Sequence, residues 1–324
     1  MLRHLTAAAF LLAAPALADP LPSWSEGPAR AQIIAFVDSV TDPASDDFVP
    51  VADRIAVFDN DGTLWAEQPL YFQAIYAFDT VKKIGAEDPS TLTSDALKAA
   101  AKGDIETVMA GGEKALLDVV GLASAGQTID AFQAGVSDWL ADARHPTTGM
   151  AYDAMTYQPM VELLRYLRDE GFRTYIVSGG GIDFMRVFAE RAYGIPTDQV
   201  LGSYGDTSYT VGDDGVPVIT KTKPLVYVDD KEGKPINIMR ILGKRPIFAA
   251  GNSDGDFAML QWTTAGDGPS LGLIVHHTDA DREWAYDRDS HIGQLARGLD
   301  DGPGLGWVIV DMAKDWDRIW SSQR

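Results

Sequence analysis

Short apolar runs that stop abruptly on polar residues are the clearest pattern along this chain. In the first run, residues 55–58, β-branched and aromatic side chains follow one another without polar alternation, which predicts a strand buried on both faces of a parallel sheet. Similar runs predict further strands at residues 173–177, 246–250, 271–275 and 307–310. Residues 200–211 and 216–219 flank Gly212-Asp-Asp-Gly215, which predicts a hairpin.

Between the first two strands the apolar spacing is helical only. The pattern predicts helices at residues 71–84, 94–102, 113–120 and 129–143, with no convincing strand among them. A helical block inserted between two parallel strands is typical of a cap that lies over a site. The sequence therefore predicts a doubly wound parallel α/β core from residues 19–63 and 155–324, with an inserted helical cap at 64–154. Other helices are expected at 28–40, 160–170, 182–192 and 236–242, and near Asp315.

The first 18 residues have the pattern of a secretory signal. Met1-Leu-Arg-His is followed by apolar residues 5–17, and Ala16-Leu17-Ala18 is a small-residue cleavage site. A buried N-terminal helix is the alternative, but Pro15 would interrupt it. The chain has no cysteine, which excludes disulfides and thiol catalysis. An exported chain without disulfides suits a bacterial periplasmic or secreted enzyme.

Composition and charge limit the partners. With 324 residues and 46% hydrophobic content, the chain is long enough to bury a full core. Its 47 acidic and 27 basic residues give a net charge of −20, which repels nucleic acid and anionic lipid surfaces. No segment after the signal resembles a membrane span. The expected partner is a small molecule, and an anionic one would need a locally positive pocket; the sequence does not indicate an oligomeric state.

Polar clusters follow three of the predicted strands. Asp59, Asp61 and Gly62 follow the first, Ser178-Gly179-Gly180-Gly181 follows the second, and Gly251-Asn252-Ser253-Asp254-Gly255-Asp256 follows the third. Ligands of parallel sheets bind beyond the carboxyl ends of the strands, so these clusters are expected at one edge.

Each cluster has a candidate chemistry and a plain alternative. Two adjacent acids that both stay ionised usually hold a cation, although an Asx turn would explain Asp-Gly after a strand as well. An EF-hand loop beginning at Asp59 is excluded, because Leu64 and Leu70 occupy its glycine and glutamate positions. The glycine-rich turn is expected to open a helix and seat an anion, although a tight strand-to-helix connection explains it about as well.

Together these motifs resemble the haloacid dehalogenase (HAD) superfamily of hydrolases, in order and over nearly all of the mature chain. The matching residues are Asp59-Asn60-Asp61-Gly62-Thr63, Ser178, Lys234 and Gly251-Asn252-Ser253-Asp254-Gly255-Asp256. The resemblance implies a Rossmann-like core, a cap between the first and second motifs, and a hydrolase of the phosphatase branch that uses Mg²⁺.

The resemblance also implies a role for each motif residue. Asp59 would be the nucleophile that forms an aspartyl phosphate, and Asp61 the general acid and base. Ser178, the Gly179 N–H and Lys234 would neutralise the phosphoryl oxygens. The expected Mg²⁺ ligands are Asp59, the Asp61 carbonyl and Asn252, with Asp256 nearby. The substrate contacts expected from these motifs are Thr63, Gly179, Glu67 and Trp65.

Two departures from the family pattern leave questions open. The family commonly has Asp where this chain has Asn252, so a neutral amide oxygen is expected among the metal ligands, together with weaker or more selective Mg²⁺ binding. Lys234 is preferred as the catalytic lysine because Gly-Lys-Pro resembles some branches of the superfamily, but Lys231 remains an alternative. Asp254 is expected to face water rather than metal.

Other reactions of the superfamily are alternatives to hydrolysis of a phosphate ester. The dehalogenase branch needs no metal and lacks the second acid, so Asp61 argues against it, and a phosphomutase would be unexpected outside the cytoplasm. Phosphonate hydrolysis needs an amine in the cap, and five lysines there leave it open: Lys82, Lys83, Lys98, Lys102 and Lys114. A non-catalytic periplasmic phosphate- or metal-binding protein is the alternative outside enzymes, but it would not need Asp61 beside Asp59.

The substrate beyond its phosphate is not identified by the sequence. The residues that closely follow the first motif and could line the cap side are Trp65, Glu67, Tyr71, Phe72 and Tyr76. Aromatic faces with an acid suit a cationic group such as choline or an amino alcohol, but packing of the cap helices is the preferred role of these rings. His276 and His277 end a predicted strand, where a structural role is the ordinary one.

Overall fold

A seven-stranded sheet forms the centre of the molecule in the computed structural model, which describes residues 19–322; the predicted signal segment lies outside them. The strand order is β4-β3-β2-β1-β5-β6-β7, and every neighbouring pair is parallel except β3 and β4. The strands are β1 (Ile55–Phe58), β2 (Arg173–Gly181), β3 (Val200–Val211), β4 (Pro217–Tyr227), β5 (Phe248–Gly251), β6 (Leu271–His276) and β7 (Val308–Asp311). The predicted α/β fold with a mainly parallel sheet is confirmed, and the predicted hairpin is β3–β4.

Helices cover both faces of this sheet. Alternate residues of β1 explain why: Ile55 and Val57 join one buried cluster, whereas Ala56 and Phe58 join another on the opposite face. The helices are α1 (Pro28–Thr41), α2 (Phe72–Glu87), α3 (Asp95–Ala101), α4 (Ile105–Ala110), α5 (Gly112–Ser124), α6 (Ile129–Asp142), α7 (Gln158–Asp169), α8 (Ile182–Met185), α9 (Ala189–Tyr193), α10 (Gly233–Leu242), α11 (Phe257–Thr264), α12 (Arg297–Asp301) and α13 (Met312–Asp315). Within residues 19–322, no helix is both long and apolar enough to cross a membrane.

Helices α2 to α6 lie between β1 and β2 and are called here the helical segment, residues 72–142. The four helices predicted there are present, and α4 is an additional one. The segment has an apolar core of its own, with Phe78, Val81, Leu97, Val108 and Val119 among its buried members. Its helices therefore pack on one another as well as on the sheet domain.

The helical segment is also joined to the β3–β4 hairpin through the backbone. The Gly126 N–H donates to the Lys221 carbonyl (2.8 Å), and the Lys221 N–H donates to the Gln127 carbonyl (2.9 Å). Thr128 and Thr220 form an isolated antiparallel bridge beside them. The helical segment and the hairpin, which are far apart in sequence, thus lie next to each other.

The two linkers of the helical segment are fastened to each other by His145. Its Nε2 lies 2.7 Å from the Gln68 carbonyl, and its Nδ1 accepts the N–H groups of Thr147 (3.3 Å) and Thr148 (3.1 Å). These partners require the neutral tautomer with hydrogen on Nε2. Burial lowers the pKa of His145 more than the Gln68 carbonyl and Glu283 raise it, which also favours the neutral ring.

The segment after β2 differs from its prediction. The single helix expected at 182–192 is divided into α8 and α9, because the N–H groups of Val187 and Phe188 bond three residues back and tighten the turn. Strand β2 continues through Gly181, although the glycines were expected to form a turn. The Gly180 and Gly181 N–H groups bond to the Ser178 Oγ and Gln73 Oε1 oxygens, so they do not lie free at a helix start.

Candidate active site

Lys234 joins two carboxylates at the carboxyl ends of the central strands. Its Nζ lies 2.6 Å from Asp59 Oδ1 and 2.7 Å from Asp256 Oδ1, and it also donates to the Val177 carbonyl at 2.9 Å. The lysine begins α10, where only 2% of its surface is exposed. Lys231, the alternative from the sequence, is exposed. The structure therefore places Lys234, and not Lys231, among the acids.

The electrostatics of this cluster show an excess of negative charge. Burial alone would lower the pKa of Lys234, but the neighbouring Asp256 and Asp59 outweigh it and raise the pKa, so the ammonium is retained. Burial and then repulsion by Asp256 raise the pKa of Asp59, and Lys234 offsets this only in part. One ammonium therefore does not balance the carboxylates around it.

Asp61 is oriented by the indole of Trp65. The Trp65 Nε1–H donates to Asp61 Oδ1 at 2.7 Å, while the Trp65 ring stacks on Phe188 with ring centres 4.2 Å apart. Burial raises the pKa of Asp61 to about 6, and the bond from Trp65 opposes this rise. Trp65 was expected to contact substrate; instead its buried ring holds the second acid of the first motif.

Ser178 lies in β2, directly before the three glycines at its end. Its Oγ accepts the Gly180 N–H at 3.1 Å, and 1% of the residue is exposed. The helix that follows, α8, has only four residues, so its dipole can contribute little to an anion seat. Any binding of a phosphoryl group here would depend on individual N–H and O–H donors.

Asn252 is held by two residues of the first motif region. Its Nδ2–H donates to Glu67 Oε1 at 2.6 Å, and its Oδ1 accepts the Thr63 hydroxyl at 3.1 Å. Glu67 also accepts the Tyr286 hydroxyl at 2.8 Å. Burial raises the pKa of Glu67 to about 8, against the lowering effects of His277 and Tyr286. Glu67 thus adds a further carboxyl group to the acidic end of the site, and its raised pKa favours the protonated form at neutral pH.

A second layer of polar side chains supports the first motif from behind. The His277 ring lies with Nε2 2.8 Å from the Gly62 carbonyl and Nδ1 3.1 Å from Glu283 Oε2. Glu283 in turn accepts the Tyr157 hydroxyl at 2.8 Å. His277 therefore has a structural role next to the site, whereas His276 bonds to Asp287.

Asp254, the middle acid of the third cluster, is turned away from the site. Its carboxylate accepts the N–H groups of Ala296, Arg297 and Gly298 at the start of α12. A carboxylate in that position satisfies N–H groups that have no partner within the helix. Asp254 was expected to face water rather than metal; its carboxylate instead caps a helix.

A cavity of about 350 Å³ opens above these residues. Of the predicted site residues, those that line it are Asp59, Asp61, Glu67, Ser178, Gly179, Lys234 and Asp256. Thr63, Trp65 and Asn252 do not line it and act through neighbours instead. Of the aromatic residues suggested for the cap side, Tyr71 and Tyr76 line it, whereas Phe72 is buried beside Trp65.

The lysines considered for phosphonate hydrolysis do not line the cavity, whereas a lysine of the hairpin does. The five lysines of the helical segment are all exposed and do not line it. Lys221 of β4 does, and it forms an ion pair with Asp183 of α8. Neither this pair nor the position of Gln73 was predicted. Nothing in the local sequence indicates that Lys221 and Asp183, 38 positions apart, meet there.

The residues around Asp59 offer oxygen ligands for the Mg²⁺ that the resemblance implies. Within residues 19–322, no group of three or more His, Cys, Asp or Glu side chains is arranged as a metal site. Mg²⁺ usually keeps several waters and needs only one or two carboxylates, so a mixed set of a carboxylate, a backbone carbonyl and an amide oxygen is sufficient. Asp59 and Asp256 share a single ammonium, and Asn252 Oδ1 keeps a second lone pair beside its bond from Thr63, so these oxygens fit such a set.

Several solved structures are similar to this chain at low sequence identity. A similar structure is that of a conserved protein of unknown function from Anaerococcus prevotii DSM 20548, with 18% identity, 77% of this chain and 85% of that chain covered, and a TM-score of 0.49. A second protein of unknown function, from Bordetella pertussis Tohama I, has 18% identity, coverage of 80% and 98%, and a TM-score of 0.49. A phosphoserine phosphohydrolase-like protein from Francisella tularensis has 16% identity, coverage of 78% and 99%, and a TM-score of 0.38.

The search of the curated proteins finds no match. The family model described as haloacid dehalogenase-like hydrolase matches residues 56–261, which is more than half of the chain and includes all the motifs of the site. The chain belongs to the haloacid dehalogenase-like hydrolases.

Proposed function

We propose that this hydrolase is a Mg²⁺-dependent phosphatase that cleaves a small phosphate monoester through phosphorylated Asp59. The observation that carries the proposal is the position of Asp59, which faces the cavity, is held by Lys234 at 2.6 Å, and has the indole-oriented Asp61 two residues away. A fixed nucleophile with a separate, independently held acid is the arrangement that a two-step phosphoryl transfer needs.

In the first step a carboxylate oxygen of Asp59 forms a bond to phosphorus while the ester P–O bond breaks. Asp61 gives its proton to the leaving oxygen, so an alcohol departs. In the second step Asp61 takes a proton from a water molecule, whose oxygen attacks the aspartyl phosphate and releases inorganic phosphate and free Asp59. Lys234 keeps the carboxylate in position through both steps, since all three of its N–H groups are bonded to fixed oxygens.

Asp59, the Asp61 carbonyl and Asn252 would hold Mg²⁺, with Asp256 beside them. When bound, the ion would neutralise phosphoryl oxygens that otherwise meet an acidic site. The residues Ser178 and Gly179 are proposed to bind the remaining oxygens.

Domain organisation and location belong to the same proposal. Residues 64–154 are proposed to be a cap, a view supported by the separate apolar core of the helical segment. Residues 1–18 are proposed to direct export to the periplasm or the medium, a view supported by their charge and hydropathy pattern. The N-terminal sequence of the protein recovered from a periplasmic fraction should begin near Asp19.

The test is hydrolysis of a panel of phosphate monoesters by the purified mature chain, with Mg²⁺ and with a chelator. Asp59→Asn is expected to abolish turnover, and Asp95→Asn, at an exposed position of α3, serves as the matched control. Full activity in Asp59→Asn, or equal rates with chelator, would contradict the mechanism. Tight phosphate binding without turnover of any ester would favour the binding-protein alternative.

Phosphonate hydrolysis receives less support than ester hydrolysis. It needs an amine that can reach a carbonyl group of the substrate, and the lysines of the helical segment do not line the cavity. Lys221 does, but its ammonium is paired with Asp183. Reduction by borohydride during turnover of a phosphonate would trap an amine adduct and would reverse this ranking.

A further inference from the structure

The end of the cavity away from the carboxylates is apolar. Leu116, Leu117 and Val120 of α5 line it on one side, and Leu225 and Val228 of the hairpin and the residues after it line the other. Leu116 is 37% exposed and Val228 49% exposed, so large apolar side chains face open space. Binding of an apolar group would remove this surface from water.

The charged groups at this end neutralise each other. The Lys221 ammonium is bonded to Asp183, and it lies 5.0 Å from the centre of the Phe132 ring. Of the other charged residues that line the cavity in the described part of the chain, five surround the first and third motifs and α10, namely Asp59, Asp61, Glu67, Lys234 and Asp256. The sixth, Asp230, precedes α10 and lies beside Gly179. A leaving group with an ionic charge of its own would therefore find no unpaired counter-charge at the apolar end.

Polar side chains along the wall are already bonded within the protein. The Ser124 hydroxyl donates to the Val120 carbonyl at 2.7 Å, and the Ser203 hydroxyl donates to the Gly179 carbonyl at 2.8 Å. Gln73 Oε1 accepts the Gly181 N–H at 2.6 Å. These bonds use the hydroxyl hydrogens of both serines and one acceptor of Gln73, so a leaving group rich in hydroxyls, such as a sugar, would find fewer free donors on this wall.

From these observations we infer that the leaving group is an uncharged, apolar alcohol or phenol that occupies the α5–β4 end of the cavity. This inference rests on the proposed phosphatase function and names the substrate class for the same site. A cationic leaving group, considered from the sequence, is the competing outcome of the tests below. Of the residues named for it, Glu67, Tyr71 and Tyr76 line the cavity, but Trp65 and Phe72 do not, and the acid at the apolar end, Asp183, is paired with Lys221. The volume of about 350 Å³ lies at the lower end of the range for small-molecule sites, which suits a phosphate with a medium-sized apolar group.

The first measurement is binding, because it does not depend on turnover. Alkylphosphonates from methyl to hexyl carry the anionic group and a growing chain but have no ester bond to cleave. Their affinity for the mature chain in Mg²⁺, measured by calorimetry, is expected to rise about fourfold for each buried methylene until the cavity is full. An affinity that does not change with chain length would overturn the inference.

The second measurement is turnover of matched esters. Hexyl and phenyl phosphate are expected to have a higher kcat/KM than phosphoserine, phosphocholine and glucose 6-phosphate, and a higher value for any of these three would overturn the inference. If no ester is cleaved but affinity still rises along the phosphonate series, the proposed phosphatase function fails and the apolar site stands. The two failures are thus distinguishable.

A matched pair of variants locates the effect. Leu116→Glu places a charge at the apolar end, and the slope of affinity against chain length is expected to flatten. Met109→Glu makes the same change at a comparably exposed apolar side chain on α4 that does not line the cavity, and the slope is expected to stay as in the parent. Equal slopes in the parent and Leu116→Glu would contradict the assigned location.

Discussion

The two ends of the cavity are built in opposite ways. At the sheet edge, Lys234, Asp59 and Asp256 are almost fully buried and are held at distances of 2.6–2.7 Å. At the α5–β4 end, the side chains are large, apolar and partly open to solvent. Preorganised polar groups favour one chemical step, whereas loosely covered apolar surface accepts groups according to size. The comparison suggests that reaction and substrate range are set by separate parts of the chain.

The largest effect is expected from Lys234→Met. Removing the ammonium leaves Asp59 and Asp256 buried together without their counter-charge, which should cost about 3–5 kcal/mol of unfolding free energy and abolish turnover. Denaturant unfolding and a turnover assay measure both. Lys244→Met removes a lysine from the exposed pair with Asp53 and should leave both near the parent values. Similar losses in the two variants would show that burial of the Lys234 cluster does not increase the cost of removing its ammonium.

Asn252→Asp tests the charge of the sheet edge. The substitution removes the Nδ2–H donor to Glu67 and buries a second acid beside it, so without metal the stability should fall by about 1–3 kcal/mol. Because the variant gains a negative charge, Mg²⁺ should bind more tightly and restore its Tm. Thermal unfolding and calorimetry, each with and without Mg²⁺, measure these effects.

The double variant Asn252→Asp/Glu67→Gln restores the original charge and one amide–carboxylate pair. It should recover stability without metal. If Asn252→Asp has the same Tm and Mg²⁺ affinity as the parent, Asn252 does not control the charge of a metal site.

A smaller effect is expected when the ion pair of the apolar end is removed as a whole. Lys221→Met/Asp183→Leu exchanges two charged groups for apolar ones, and such exchanges are often close to neutral for stability. Lys221→Met alone leaves Asp183 without its partner and should be less stable than the double variant. If the double variant is the less stable one, the pair is required for the fold of this wall.

The smallest effect concerns His145 at the linkers. Its pKa in the folded protein is lowered, so its contribution to stability is present above the unfolded pKa of about 6.5 and is lost as the pH falls through the folded pKa. His145→Asn keeps an acceptor for the Thr147 and Thr148 N–H groups but does not titrate. The decrease in Tm from pH 8 to pH 5 should therefore be smaller in the variant. A larger decrease in the variant would reverse the assigned sign.

Local sequence was sufficient for the features that depend on short-range physics. The apolar run at β1 and the acids that follow it could be read directly, because a buried parallel strand needs continuous apolar residues and must place its next polar residues at the sheet edge. The helical spacing of residues 72–142 was read in the same way. Helix α4 was missed because its six residues are too few to show a helical period.

Features that depend on contacts between distant residues could not be predicted from the sequence. The pairing of Lys221 with Asp183 requires the spatial arrangement of a hairpin and a short helix. Lys234 was preferred to Lys231 from the Gly-Lys-Pro pattern, but its contacts with Asp59 and Asp256 depend on the fold. Trp65 was predicted from the sequence to contact the substrate, but it does not line the cavity. Its indole turned out to face Asp61, since the ring is sandwiched among Phe72 and Phe188.

The backbone bonds between residues 126–127 and Lys221 have a consequence for solvent exchange. The helical segment cannot swing away from the sheet by its two linkers alone, because those bonds would have to break first or the hairpin would have to move with it. The hairpin and the helical segment are therefore expected to move together relative to the core. Slow amide hydrogen exchange at Gly126 and Lys221, with the same protection factor for both, would be the signature of such a joint opening.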